Sequence, residues 1–207
     1  MHKLTIILLT AMAAVSANAQ TSDNTYKKML VPGRIWFYDL KYDYETDGRD
    51  DIKDYKIVFA MGDTIVDNRK AIKLKVIYRD VDEVTYLAAY EEDRRVFSQL
   101  QPGGDFELLM DFNATTGDKI NGSKLGQPDG RTLTVTEDQM RTSYSNVDIA
   151  TPHRILTVSD GKNTCYWIEG IGPTNENVLV SSAPMKGARM LLRKCFDGYT
   201  TVLERHV

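Results

Sequence analysis

A tryptophan and a carboxylate share one face of a short strand in Trp167-Ile168-Glu169, directly before a Gly-Ile-Gly turn. Side chains two residues apart in a strand point to the same side of the sheet. An indole ring beside a carboxylate can stack on a sugar or a peptide and accept hydrogen bonds from it. We therefore take Trp167, Glu169 and, from the first strand, Trp36 as candidate ligand-binding residues. In the structural alternative, Trp167 fills one end of the core and Glu169 accepts N–H bonds from the glycine turn.

Four acidic residues are candidates for the carboxylate pair of a glycoside hydrolase: Glu91, Glu92, Asp111 and Glu169. Their spacing does not place any two at a hydrolytic separation, and acids at a hairpin tip such as Glu91-Glu92-Asp93 are usually solvated. The sequence has no HxH or HExxH pattern and no Gly-x-Ser-x-Gly elbow. We predict no catalytic residue, no metal site and no cofactor.

One acidic stretch resembles a calcium-binding loop: Asp43-x-Glu45-x-Asp47-Gly48, with Asp54 at the twelfth position. The last ligand is Asp instead of Glu, and strands flank the loop where an EF-hand has helices. A solvated hairpin loop is therefore our interpretation. If a cation binds anywhere in the chain, this is the first place to look.

Alternating apolar residues and regularly spaced turns predict an all-β fold. About a dozen strands, spaced about 8 to 12 residues apart, point to one antiparallel meander domain. This domain, residues 34–207, would form a sandwich or a strongly curved, barrel-like sheet. The clearest predicted strands are Arg34–Tyr44, Tyr55–Met61, Ala71–Arg79, Val84–Glu91, Phe106–Phe112, Ala188–Phe196 and Tyr199–Arg205.

Three stretches depart from simple alternation. Gly62-Asp63 predicts a turn that separates Tyr55–Met61 from a short strand at Thr64–Asp67. Thr136–Tyr144 is ambiguous and could hold a helical turn. Asn121–Arg131 is rich in Gly, Asn, Asp and Pro, which predicts a surface loop.

The first 19 residues predict a secretory signal peptide. A short basic start precedes the apolar run Leu4–Val15, and small residues at Ala17 and Ala19 predict cleavage after Ala19. No cysteine lies near the cut and no later apolar run reaches membrane-spanning length, so we expect no lipid anchor and no transmembrane segment. The mature protein is expected in the periplasm or outside the cell. Residues 20–33 are polar at first and are predicted to be a loose N-terminal segment.

Charge and cysteine content restrict the possible partners. The chain has 26 basic and 29 acidic residues, a net charge of −3, so no basic surface is expected to bind nucleic acid. Cys165 and Cys195 either form one disulfide or are two separate buried thiols, and the sequence leaves both open. Export favours either of these states over a catalytic thiol at Cys165.

Several stretches, in order and with their spacing, form a recognisable set: Gly62–Val66, Tyr90–Phe97, Leu108–Phe112 with Gly117-Asp118, Trp167–Gly172 and Leu191–Phe196. Together they resemble a family of uncharacterised exported all-β proteins of Bacteroidetes. The last two are similar to the family's "WIEGIG" and "LLCF" stretches, and the third to its "LLYDF…GD", with Met110 where Tyr is usual. The resemblance implies an all-β envelope or secreted domain of unassigned activity and supplies no catalytic residue.

We therefore expect an exported binding or structural module of the cell envelope, whose partner is an envelope protein or a glycan. The alternative is a carrier that holds a small apolar ligand inside the curved sheet. A third hypothesis is a glycosidase or peptidase with paired carboxylates. The carrier's pocket would be lined by Trp36, Tyr38, Phe59, Met61, Phe106 and Met110.

Overall fold

The fold is a single curved antiparallel sheet. The computed structural model describes residues 25–42, 51–78, 84–121, 132–162, 164–174 and 188–206. These ranges contain 13 strands and no helix, and the sheet curls into a half-barrel, which confirms the all-β prediction. The strands are β1 (Arg34–Tyr42), β2 (Asp51–Val66), β3 (Arg69–Tyr78), β4 (Val84–Glu92), β5 (Arg95–Gln99), β6 (Phe106–Asp111), β7 (Lys119–Asn121), β8 (Thr132–Tyr144), β9 (Val147–Ser159), β10 (Thr164–Ile168), β11 (Gly172–Pro173), β12 (Ala188–Asp197) and β13 (Thr200–Arg205).

Two meanders meet at the long strand β9. Strands β1 to β6 lie side by side in chain order, and β12 and β13 continue the sheet beyond β1. β9 pairs with β13 near its start and with β10 near its end. Its other edge pairs with β8, which pairs in turn with β7, while β11 pairs with β10. The curled sheet therefore has one half built on β1–β6 and another built on β7–β11.

The predicted alternation of β3 is confirmed. Leu74 and Val76 have no exposed surface, and Ile72 packs against the same core cluster. Lys73 and Lys75 lie on the opposite face, since neighbouring side chains of a strand point to opposite sides. The inner face of the sheet therefore forms the core, and charged residues occupy the outer face of this strand.

Strand β2 is continuous, so the predicted turn at Gly62-Asp63 is wrong. The pairing between β2 and β3 shifts between Ala60 and Gly62, which is the pattern of a β-bulge. Gly62 has φ = +152°, a conformation that glycine adopts without a Cβ penalty. Pairing then resumes and reaches Val66 opposite Arg69. The glycine bends the strand without ending it.

The ambiguous stretch Thr136–Tyr144 is also strand. It belongs to β8, which pairs with β9 over most of its length despite two register shifts. The long neighbouring strand supplies main-chain partners for a segment whose own residues show no clear period. Tertiary pairing therefore decides a conformation that local sequence leaves open.

The structure also bears on the predictions about the cysteines and about a transmembrane segment. No disulfide joins Cys165 and Cys195 in this structure, and burial raises the pKa of Cys195 to about 12. Within the described ranges, no helix is long and apolar enough to cross a membrane. The predicted signal peptide at 1–19 lies outside the described residues, as do 43–50 of the calcium-like loop and 122–131 of the predicted surface loop.

Candidate functional site

The three predicted ligand-binding residues lie in the protein interior. Trp36 and Trp167 have no exposed surface, and only 5% of Glu169 is exposed. The indole N–H of Trp36 donates to the carbonyl of Ile171 at 2.7 Å, which ties the first strand to the turn after β10. A ring that stacks on a sugar must offer an open face. These residues therefore do not form a surface platform, and their contacts are with the chain itself.

Glu91 and Glu169 hold residues 25–33, which we call the N-terminal segment. The main-chain N–H of Lys27 donates to Glu169 Oε1 at 3.0 Å. The N–H groups of Met29 and Leu30 donate to the two oxygens of Glu91, at 2.8 and 3.1 Å. Met29 is fully buried and Leu30 almost so. The prediction of a loose segment at 20–33 therefore does not hold for this part, and Glu169 binds the segment where we expected it to bind the glycine turn.

Arg34 binds the carbonyl side of the same segment. Its Nη1 donates to the carbonyls of Lys28 and Met29, at 3.0 and 3.1 Å, and also to that of Gly170. Its Nη2 forms an ion pair with Asp197 at 2.9 Å. One buried guanidinium thus joins the N-terminal segment, the turn after β10 and the end of β12.

The two glycines of the turn leave room for the segment. A Cβ on Gly170 would lie 2.8 Å from the Cβ of Lys27, closer than such atoms come in proteins. A Cβ on Gly172 would lie 3.0 Å from the Sδ and Cε atoms of Met29. Both glycines also have positive φ, +82° and +120°. The Glu-Gly-Ile-Gly sequence is therefore explained by the close approach of the chain's own N-terminal segment.

Replacing Gly170 with alanine is expected to destabilise the fold by about 3 kcal/mol, since positive φ and overpacking against Lys27 act together. The matched control is Gly198→Ala. Gly198 has φ = +59°, but no atom lies within 4 Å of its added Cβ. The control should therefore lose only about 1 kcal/mol. Urea denaturation measures both, and equal losses would mean that the segment does not pack on Gly170.

Two arginines meet at Glu169, Arg94 from the β4–β5 turn and Arg154 from β9. Arg94 Nη2 donates to Glu169 Oε2 at 3.0 Å, and Arg154 Nη1 lies 3.8 Å from the same oxygen. Arg154 also forms a bidentate pair with Asp138, with both distances 2.8 Å, and donates to the carbonyls of Phe112 and Ala114. The hydrogen bond to Asp138 is the main cause that raises the pKa of Arg154. The network is therefore a cross-link between strands that are distant in sequence.

The β4–β5 turn presents Arg94 to this network. Asp93 and Arg94 have φ of +48° and +58°, the left-handed conformation that a two-residue hairpin turn of this kind requires. This conformation is uncommon for arginine. The ion pair with Glu169 stabilises this conformation of Arg94.

The acids proposed for catalysis are all bound to neighbouring groups. Glu91 and Glu169 hold the N-terminal segment, as described above. Asp111 accepts from Arg95 Nε at 2.9 Å, and Glu92 pairs with Arg69 at 2.9 Å on the surface. Within the described part of the chain, no group of three or more His, Cys, Asp or Glu residues is placed to hold a metal ion.

A cluster of aromatic and basic residues lies on the outer face of β3–β6. The rings of Tyr90 and Phe97 stack at 4.7 Å with an interplanar angle of 9°, and Phe106 meets Tyr90 edge-on at 4.9 Å. Tyr86 is 47% exposed. The basic groups lie over the tyrosine rings, Arg69 at 4.3 Å from Tyr90 and Lys73 at 4.4 Å from Tyr86. We call this set the outer aromatic face: Arg69, Lys73, Tyr86, Tyr90, Phe97 and Phe106.

The residues predicted to line a carrier's pocket do not share one cavity. Trp36, Tyr38 and Met110 are fully buried in the core, while Met61, at the bulge of β2, is 55% exposed. A small open pocket of about 170 Å³ lies between β3, β4 and the N-terminal segment. Its volume is below the roughly 300 Å³ of typical ligand pockets. Lys28, Asp63, Lys70 and Glu91 contribute to its lining, so it does not suit an apolar ligand.

Sequence reasoning missed most of the residues that hold the N-terminal segment. Glu91 had a usable signal, since it continues the series Leu87, Ala89 on the inner face of β4. A carboxylate at a core-facing position predicts buried hydrogen-bond donors. Arg34 and Arg154 gave no comparable signal, because their partners lie in segments far away in the sequence.

Comparison with known proteins adds no information about function. No known family model, curated protein or solved structure matches this chain. The resemblance to exported Bacteroidetes proteins therefore stays an expectation from the motifs quoted above. Function must be inferred from the residues themselves.

Proposed function

We propose that the protein is an exported binding module of the cell envelope and that it binds its ligand through the outer aromatic face. Two features support a binding role over catalysis. The candidate acids are engaged in structural contacts, and the inner aromatic residues fill the core. On the outer aromatic face, rings and positive charges come together at the surface.

A glycan with acidic groups is the ligand class that this surface suits best. A tyrosine ring offers a flat apolar face to the C–H groups of a sugar, and its hydroxyl offers a hydrogen bond. Lys73 supplies positive charge over the Tyr86 ring, which attracts carboxylate or sulfate groups, whereas the charge of Arg69 is already paired with Glu92. An acidic envelope protein would use the same Lys73 charge, and the test below addresses the glycan.

The observation that carries this proposal is the pair Tyr86 and Lys73. Nearly half of Tyr86 is accessible, and the lysine ammonium lies 4.4 Å from the ring centroid. The two residues belong to adjacent paired strands, so the sheet fixes their relative position. A surface preorganised in this way orders few side chains on binding.

We expect the mature protein to bind acidic polysaccharides on a glycan array, and Tyr86→Ala and Lys73→Ala each to weaken binding about tenfold, the effect of about 1.4 kcal/mol. Tyr86→Phe should keep most of the stacking contribution. The control is Tyr199→Ala, which removes a fully exposed tyrosine from the β12–β13 turn. The proposal fails if no glycan binds, or if Tyr86→Ala binds as well as the control.

A further inference from the structure

We propose that the cleft that holds the N-terminal segment is a binding site for an extended basic and apolar peptide, and that residues 25–31 are a tethered occupant of that site. We call it the segment cleft. It is formed by the side chains of Glu91, Glu169 and Arg34 and by the surface of Gly170 and Gly172. It shares no residue with the outer aromatic face, and Tyr90 of that face borders it through a pocket also lined by Lys28, Leu30 and Glu91. The glycan proposal depends on Tyr86, which is not part of the segment cleft, so the two proposals have separate tests.

The segment cleft recognises peptide main chain. Three N–H groups of the segment donate to carboxylates, and two of its carbonyls accept from Arg34. None of residues 25–33 belongs to a strand before Arg34. Side chains of the protein therefore take the place that a neighbouring strand would have. Groups that bind main chain accept any extended segment whose side chains fit.

Side-chain selectivity comes from the buried position of Met29 and from the polar contact of Lys27. Met29 is fully buried and touches the space left by Gly172, so a long unbranched apolar side chain fits there. Lys27 Nζ donates to the carbonyl of Pro152 at 2.6 Å, and Lys28 is exposed. Of the two carboxylates that face the segment, Glu169 is already paired with Arg94 and Arg154, so the preference for a basic residue comes from the Pro152 carbonyl, which accepts from the Lys27 ammonium. The preferred peptide therefore has basic residues followed by Met or Leu.

The tethered segment can leave without breaking a strand ladder. Its link to the sheet is the turn at residues 31–33, where Arg34 N–H donates to the carbonyl of Val31 at 3.1 Å. The preceding contacts are the side-chain hydrogen bonds described above, the Tyr26 hydroxyl that donates to Glu91 at 2.9 Å, the packing of the Tyr26 ring on Phe112, and the burial of Met29 and Leu30. A peptide of the same character that arrives from another chain would restore both the hydrogen bonds and the apolar contacts.

The test uses the full chain and a fluorescent peptide with the sequence of residues 25–31. Met29→Asp places a charge in the core position and should release the tethered segment. Fluorescence anisotropy should then show saturable binding of the peptide to this variant. Wild type should bind at least about 100-fold more weakly, because a tethered competitor acts at an effective concentration in the millimolar range.

Matched controls make the result specific. Met140→Asp places the same charge at a half-exposed site on β8, and it should behave as wild type. A peptide with Asp at the Met29 position should not bind. Adding Glu169→Gln to Met29→Asp should weaken binding several-fold, since the amide accepts less strongly from the Lys27 N–H than a carboxylate does.

If Met29→Asp does not retain the β-sheet circular dichroism of wild type, Lys27→Pro replaces it. That change removes the N–H donated to Glu169 and leaves the core residue in place. The proposal is overturned if a folded variant of either kind does not bind the peptide, or if wild type binds it equally well. Tyr86→Ala should not affect peptide binding, so failure here is distinct from failure of the glycan proposal.

Discussion

Replacing Glu169 with leucine is expected to lower the free energy of unfolding by about 4 kcal/mol. The change removes the acceptor of the Lys27 N–H and leaves the guanidinium groups of Arg94 and Arg154 without their shared carboxylate. The Glu169 and Arg154 side chains are only 7% and 17% exposed, so water replaces little of what they lose, while Arg94, at 37%, can be partly hydrated. Removing one partner of a buried ion pair typically costs about 3 to 5 kcal/mol. Urea denaturation followed by tryptophan fluorescence measures the loss.

The control for this prediction is Glu92→Leu. Glu92 forms an ion pair with Arg69 of similar length, 2.9 Å, but 59% of its side chain is exposed. Pairs of this kind contribute at most about 1 kcal/mol. Glu169→Gln should fall between the two leucine variants, because the amide still offers an acceptor. Equal losses for Glu169→Leu and Glu92→Leu would contradict the assignment of Glu169 as a buried cross-link.

The stability of the protein is expected to rise by about 2 kcal/mol between pH 7 and pH 9 because of one buried lysine. Lys56 has no exposed surface, and its Nζ lies 4.9 Å from the centroid of the Tyr78 ring. Burial lowers the pKa of Lys56 to about 7, against 10.5 in the unfolded chain. Between these values the unfolded chain binds the proton and the folded protein does not. Raising the pH through this window therefore favours the folded state.

Two substitutions isolate this effect. Lys56→Met removes the titration, so the difference between wild type and this variant should change by about 2 kcal/mol from pH 7 to pH 9. Lys56→Arg keeps a charge at every pH and should be less stable than wild type throughout, most of all at pH 9. Urea midpoints at five pH values give the curves. Parallel curves for wild type and Lys56→Met would show that Lys56 does not titrate in this range.

Above about pH 9 other groups act in the opposite direction. Burial raises the pKa of Tyr38 well above its usual value, and it raises that of Cys195 to about 12. The unfolded chain loses these protons at lower pH than the folded protein does, so stability falls as the pH rises further. For this reason the Lys56 measurement stops at pH 9.

The fold class was predictable because it depends on local patterns. Alternation in β3 and the turns around β4–β6 determine which residues face the core, and both are visible in short stretches of sequence. The continuity of β2 was not predictable, because a glycine that bulges a strand and one that ends it have the same local signature. The outcome depends on whether β3 continues to supply pairing partners beyond Gly62.

The candidate site was only partly predictable. The Trp167–Gly172 motif can be recognised in the sequence, but the motif alone does not show which segment of the chain packs against it. Its occupant, the N-terminal segment, is far away in the sequence and looks polar and featureless. The core-facing position of Glu91 in β4 is a local signal that such a residue binds buried donors, but it does not say which donors. Arg34 has no such signal, because its partners are far away in the sequence.

The distance along the chain between the segment and its partners sets an order of events during synthesis. Lys27 precedes Glu169 by 142 residues, and Arg34 precedes Asp197 by 163. The ribosome therefore makes Lys27 and Arg34 well before these two partners. In the nascent chain both residues remain without these contacts until a further 142 and 163 residues have been translated.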